Sequence, residues 1–334
     1  MAEFIPFQDA TSRRRLLKVM ALTAGAWGVS GPILCPAFAQ ASASGKVLEQ
    51  LRIGYQKSAA NLVIIKQQGA LEKRFPNNTV VWIEFPAGPQ LLEALSVGAL
   101  EFGMTGDSPP IFAQAAGKDL VYVGAEPPKP DTSAILVLRD SPLKALVDLK
   151  GKKVALQKGS SAHYLVVCAI EKAGLQWSDI QPIYLTPADA RAAFERKSVD
   201  AWGIWDPFFA ATELAIQPRI LTTGRGLTSN NSFYLASKDF ATRHSDAVAV
   251  LFEELTKADQ LVQARRPEAI KLIASFSGLD AGVVSLFLQR RSRSPVTPLS
   301  SATTADQQRV ADTFARLGLI PKPLRVADIV WRAT

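Results

Sequence analysis

Three segments of the chain hold residue types that bind or react with small molecules. Lys158-Gly159-Ser160-Ser161-Ala162-His163 joins a strand-like run to a helix-like one. Glycine lets backbone approach a ligand closely, and the first amides of a helix have no partner inside it. Gly159, the hydroxyls of Ser160 and Ser161 and those amides together predict an anion site, and the competing reading makes either serine a simple helix cap. Thr105-Gly106-Asp107-Ser108-Pro109-Pro110 repeats the logic, with Pro109 opening a helix, Asp107 as its cap and Ser108 as a candidate ligand donor. Gln56 is a polar group just past the first strand. Trp205-Asp206-Pro207 ends a later strand: the indole offers an apolar wall, and the carboxylate offers a partner for a ligand amine or a helix start.

Catalytic chemistry is poorly served by the same residues. Ser160 and His163 stand three apart on a helix and have no evident third member, and the segment is not the G-x-S-x-G elbow. Cys168 falls among Leu165, Val166, Val167 and Ile170, which predicts a buried, inert thiol. No phosphate-binding loop or dinucleotide fingerprint occurs, and if Cys35 is removed with a signal peptide, the one remaining cysteine, Cys168, and two histidines do not make a typical zinc cluster. The expectation is a binding protein rather than an enzyme, with no cofactor and no metal.

These residues must be positioned by the elements around them. Strand patterns at 51–55, 79–85, 102–105 and 120–125 alternate with helix patterns at 62–75, 90–97 and 109–116. The rhythm restarts with strands at 134–138, 153–156, 183–185, 201–205, 220–223 and 232–236, and helices at 162–173 and 187–196. From Asp239 the pattern is mostly helical, at 246–265, 267–276, 280–288 and 304–316. Such alternation predicts an α/β protein of two lobes with mostly parallel sheets, a ligand cleft between them and a helical C-terminal tail. Ala125-Glu126-Pro127-Pro128-Lys129-Pro130 reads as a stiff connection between the lobes.

The N-terminus reads as an address. Arg13-Arg14-Arg15-Leu16-Leu17-Lys18 precedes a weakly apolar run, and Ala37-Phe38-Ala39 supplies a small-x-small cleavage pattern. Residues 1–39 are thus expected to be a twin-arginine signal peptide, exported through the twin-arginine machinery to the periplasm, with Gln40 the first mature residue. No later run is long and apolar enough for a membrane span, so the mature protein is expected to be soluble. The formal net charge is +8, but Lys and Arg are scattered, so no nucleic-acid partner is expected. Outside the N-terminus the tightest basic run, Gln289-Arg290-Arg291-Ser292-Arg293, reads as a solvated face or turn.

Several segments resemble the aliphatic sulfonate-binding proteins of ABC importers, relatives of the taurine- and nitrate-binding proteins. They are Gln90-Leu91-Leu92-Glu93-Ala94-Leu95, Met104-Thr105-Gly106-Asp107, Val123-Gly124-Ala125-Glu126-Pro127-Pro128-Lys129-Pro130, Gln157-Lys158-Gly159-Ser160-Ser161, Leu185-Thr186-Pro187-Ala188-Asp189-Ala190-Arg191-Ala192-Ala193-Phe194 and Ile204-Trp205-Asp206-Pro207. The likeness spans 51–235 and weakens in the tail. It implies a type II periplasmic binding protein, a monomer, with 47–132 and 233–334 forming lobe I and 133–232 forming lobe II. A membrane permease and its ATPase are implied as partners, and aliphatic sulfonates, used as a sulfur source, as the cargo. The implied sulfonate site comprises Gln56, the Gly106 and Ser108 loop, and Gly159, Ser160 and Ser161. In taurine-binding relatives the carboxylate matching Asp206 faces the amine. The alternatives are a desulfinase-like or hydrolytic enzyme on the same fold, or a binder of aryl sulfonate, sulfate ester, taurine or nitrate.

Overall fold

The computed structural model describes residues 48–291 and 293–332; the export sequence inferred above lies outside the described residues. The strands are β1 (Gln50–Tyr55), β2 (Thr79–Glu84), β3 (Phe102–Gly106), β4 (Val121–Glu126), β5 (Ser133–Val137), β6 (Lys153–Leu156), β7 (Gln181–Tyr184), β8 (Ala201–Trp205), β9 (Arg219–Thr223) and β10 (Ser232–Ala236). The helices are α1 (Ala60–Gln68), α2 (Ala70–Arg74), α3 (Gly88–Ser96), α4 (Ser108–Ala115), α5 (Ser161–Lys172), α6 (Pro187–Glu195), α7 (Phe208–Ile216), α8 (Lys238–Arg243), α9 (Ser245–Ala264), α10 (Arg266–Ser277), α11 (Ala281–Arg290) and α12 (Ser301–Arg316).

Two five-stranded sheets result, in the orders β2-β1-β3-β10-β4 and β7-β6-β8-β5-β9. Each is mostly parallel with one antiparallel strand, β10 in the first and β5 in the second. The cause lies in the connections. Most strands follow a helix that carries the chain back across the sheet, which keeps neighbours parallel. β5 and β10 instead come directly from the other sheet, entering from the end that faces it, so they run the opposite way. The two crossings lie side by side. The Lys129 N–H bonds Ser229 O at 2.9 Å and the Gly224 N–H bonds Pro130 O at 3.0 Å. Asn230, with a left-handed φ of 48°, donates its amide to Lys129 O at 3.1 Å and Thr132 Oγ1 at 2.9 Å. Asn tolerates that conformation better than most residues.

Apolar clusters cover both faces of each sheet. On the first, β1, α1 and the tail helices α9 to α11 share one cluster, and α3, α4 and α12 share another. On the second, α5 packs one face while Phe194, Trp202 and Phe209 fill the other. The chain end returns to the first sheet, where the Trp331 N–H bonds Tyr122 O at 2.9 Å. Sequence periodicity differs from the structure at α1 and α2, at α7 and at the short α8, which has no expected counterpart. The helix expected over 62–75 is broken at Gly69, whose φ of 57° closes α1 before α2 begins. α7 carries apolar residues all round, so it lacks the periodic stripe that marks a helix. No helix among the described residues is long and apolar enough to cross a membrane.

Candidate functional site

A pocket of about 50 Å³ opens between the two sheets. That is room for several water-sized groups, the scale of a small anionic head. Its walls come from strand ends and from the crossings. Gln56 follows β1, Met104 and Gly106 close β3, and Trp205 and Asp206 close β8. Ser160 and Ser161 form the turn into α5, while Lys129, Thr132 and Asn230 belong to the crossings. Phe287 and Arg291 enter from α11 and the residue after it.

Six of the eight residues expected from sequence thus meet here: Gln56, Gly106, Ser160, Ser161, Trp205 and Asp206. Ser108 and Gly159 do not line the pocket. Ser108 is fully buried and its hydroxyl donates to Asp107 Oδ1 at 2.9 Å. Gly159 holds a turn at φ 72°, packs against Phe112, and gives its N–H to His163 Nδ1 at 3.2 Å. Both were read as ligand groups because capping residues and ligand donors are the same residue types.

The serine turn also differs in detail from the expectation. The Ser160 N–H and hydroxyl both donate to Gln157 O, at 3.2 and 2.8 Å, so Ser160 keeps only its lone pairs for the pocket. Ser161 instead reaches across the gap. Its Oγ accepts the Asp107 N–H at 3.2 Å, and a Cβ on Gly106 would overlap that hydroxyl. Gly106 is therefore glycine because lobe meets lobe at this point. The N–H groups of Ser161 and Ala162 make no hydrogen bond among the described residues, which leaves the start of α5 as an unmatched donor set.

The charges were missed by sequence reasoning. Arg291, expected on a solvated face, is 3% exposed, and Lys129 is 7% exposed. Both converge on Glu126: Lys129 Nζ donates to Oε2 at 2.9 Å and Arg291 Nη2 to Oε1 at 2.8 Å. The Tyr234 hydroxyl adds a third donor at 2.8 Å, and Arg291 also donates to Asn61 and Ser294. Burial works to raise the Glu126 pKa, but Arg291 and Lys129 outweigh it and hold the carboxyl below its ordinary range. Burial pulls the Lys129 ammonium down against the opposing pull of Glu126. Two cations against one carboxylate leave this side of the pocket positive. The available signal was a lysine inside the proline-rich crossing and an arginine pair at a helix end, which spacing alone does not orient.

Asp206 faces the same space from the second sheet. Its Oδ1 accepts the Ala210 N–H at 2.9 Å and Arg290 Nη1 at 3.2 Å, while its buried Oδ2 has no partner. Burial pushes its carboxyl up to about 7, against the pull of Arg290. His163 is enclosed by Phe112, Trp177, Tyr184 and Phe314, and burial, aided by Lys158, lowers its pKa to about 4. Cys168 is a half-buried free thiol off the pocket, pushed up to about 12 by burial, so it stays protonated. No group of side chains suited to a metal ion occurs among the described residues.

The NMT1/THI5-like family model matches residues 80–269. A relative from Escherichia coli strain K12, described as an aliphatic sulfonates-binding protein, is 46% identical over 306 residues, 92% of this chain and 95% of its own. The crystal structure of the periplasmic aliphatic sulphonate-binding protein SsuA from Escherichia coli matches with a TM-score of 0.79 at 48% identity, over 86% of this chain and 93% of that one. The alkanesulfonate-binding protein SsuA from Xanthomonas axonopodis pv. citri, bound to MOPS, matches with a TM-score of 0.83 at 49% identity, over 85% and 99%. With its two mixed sheets, its pocket between them and these likenesses, the chain belongs to the NMT1/THI5-like family, among the aliphatic sulfonate-binding proteins of ABC importers.

Proposed function

We propose that this chain is the periplasmic solute-binding subunit of an ABC importer and that it captures aliphatic sulfonates in the pocket between its lobes. The observation that carries the reading is the pairing, in one pocket, of a positive wall with unmatched amides. Arg291 and Lys129 outnumber Glu126, and the Ser161 N–H stands at the start of α5 with no acceptor. A sulfonate remains a monoanion at any relevant pH, so it needs donors and positive potential but no proton chemistry. The helix end contributes roughly 0.3–1 kcal/mol, and charge-assisted hydrogen bonds contribute more. Because the counter-charges are already buried and bonded in the protein, the anion meets prepaired cations rather than stranded ones. Trp205 and Phe287 supply apolar wall for the carbon tail.

Lobe I comprises 47–132 and 233–334, lobe II comprises 133–232, and the crossings are the hinge. Residues 1–39 direct export by the twin-arginine route. The protein acts as a monomer, delivers cargo to a separate permease and its ATPase, and catalyses no reaction. In this reading Gln56, Gly106, Ser160, Ser161, Trp205 and Asp206, which line the pocket, form the sulfonate site together with Lys129 and Arg291.

The test is a fluorescence titration, read through Trp205, with ethanesulfonate, taurine, nitrate and sulfate. The reading expects ethanesulfonate to saturate at micromolar concentration or below and to outrank nitrate and sulfate. Silence from every sulfonate, or preference for nitrate, would remove the cargo assignment. Sulfite release from an aryl sulfinate would transfer the chain to the enzymes.

A further inference from the structure

Arg290 and Arg291 are consecutive, yet their side chains serve opposite lobes. Arg291 turns into the first sheet's interior, onto Asn61, Glu126 and Ser294. Arg290, the last residue of α11, turns to the second sheet. Its Nη1 meets Asp206 Oδ1 at 3.2 Å, its Nη2 pairs with Glu213, and its guanidinium carbon lies 3.7 Å from the centre of the Phe209 ring. All three partners belong to the β8–α7 segment. The Arg290 side chain is 14% exposed, which removes much of the solvent screening that weakens surface pairs. Arg316 and Glu171 also pair between the lobes, at 2.8 Å, but with 58% and 36% exposure.

We propose that the Arg290-Arg291 pair is a clasp: Arg291 anchors the end of α11 in lobe I, and Arg290 holds lobe II shut over bound cargo. Arg290 is a positioning residue in this role. It acts through Asp206, which lines the pocket, and Glu213, which does not. Opening the lobes separates the guanidinium from both carboxylates and from the ring, so the clasp opposes release rather than capture. Closing energy made only after encounter appears in the dissociation rate.

The inference rests on the sulfonate-carrier reading, and its test separates the two. Ethanesulfonate association and dissociation rates are measured by stopped-flow fluorescence on wild type, Glu213→Gln, Arg290→Gln and Arg290→Lys. Glu213→Gln alters the clasp without touching the pocket. It is expected to raise the dissociation rate severalfold, and Arg290→Gln about tenfold or more, while association changes less than about threefold. Arg290→Lys keeps the charge but loses the fork and the stacking, and is expected to fall between. Unchanged dissociation in both Glu213→Gln and Arg290→Gln overturns the clasp. If wild type binds no sulfonate, the carrier reading fails, and solution scattering of the ligand-free proteins decides the clasp. A larger radius of gyration for Arg290→Gln than for wild type then supports it, and equal radii overturn it.

Discussion

Glu126→Gln exposes the electrostatic design of the pocket wall. In the wild type Glu126 accepts from Arg291, Lys129, Tyr234 and Asn61, and all five groups are buried. The amide keeps the shape but removes the carboxylate with which both buried cations pair. Breaking a buried pair while leaving its partner charged costs about 3–5 kcal/mol. At roughly 2–4 °C per kcal/mol for a chain of this order, the ligand-free melting temperature should fall by roughly 6–20 °C at neutral pH. Raising the pH lets the Lys129 ammonium, already weakened by burial, lose its proton, so the deficit should narrow as pH rises. A second variant separates charge from packing. Glu126→Gln with Lys129→Met removes one charge of each sign and should recover at least half of the loss. Calorimetric melts of the three proteins measure this directly. A Glu126→Gln melting temperature within about 2 °C of wild type, or no recovery in the double variant, would refute the idea of a compensated, cation-rich wall.

Other expectations follow from single contacts. Gly106→Ala places a Cβ against the Ser161 hydroxyl and should weaken ethanesulfonate binding by about 1 kcal/mol, the worth of the Asp107–Ser161 bond. Ser161→Ala removes the obstructing oxygen, so the pair Gly106→Ala with Ser161→Ala should bind no worse than Ser161→Ala alone. Additive losses in that cycle would contradict the packing. His163, lowered to about 4 from an ordinary 6.5, binds its proton more readily when unfolded. Its contribution is therefore whole above about pH 6.5 and lost as pH falls through 4, roughly 3 kcal/mol in all. Asp206, raised to about 7, runs the other way: the folded state holds its proton more tightly, so its contribution falls as pH rises from about 4 to 7. His163 thus offsets part of the fall that Asp206 produces across that window, so wild-type stability should change less steeply there than Asp206 alone would make it. Urea melts of His163→Phe should show stability falling more steeply than wild type as pH rises, and a variant with the wild-type slope would refute the balance.

The fold was legible where sequence periodicity is local. Strand and helix patterns follow burial on one face, so β1 to β4 and their helices emerged within a few residues of their observed ends. The proline-rich segment after β4 declared itself a crossing because prolines stiffen a chain and end a sheet. Strand direction was not legible, because β5 and β10 run antiparallel for a reason of connection rather than composition. Of the residues expected at the site, those at strand ends line the pocket: Gln56, Gly106, Trp205 and Asp206. The serine turn was found as a unit, but the direction of each hydroxyl depends on where Gln157 O lies. Arg290 and Arg291 illustrate the remainder. A basic pair at a helix end ordinarily faces water, and only the partners brought in from β4, β8 and α7 make these two internal.

In the proposed complex a sulfonate head sits between Ser161 at the start of α5 and the Lys129–Arg291 wall. A crystal structure with 2-bromoethanesulfonate, with bromine located by anomalous scattering, tests it most directly. Sulfonate oxygens are expected within hydrogen-bond reach of the Ser161 N–H, facing Lys129 and Arg291, with bromine toward Trp205 and Phe287. A sulfonate found outside that pocket, or held within it with its oxygens away from both cations, would contradict the account.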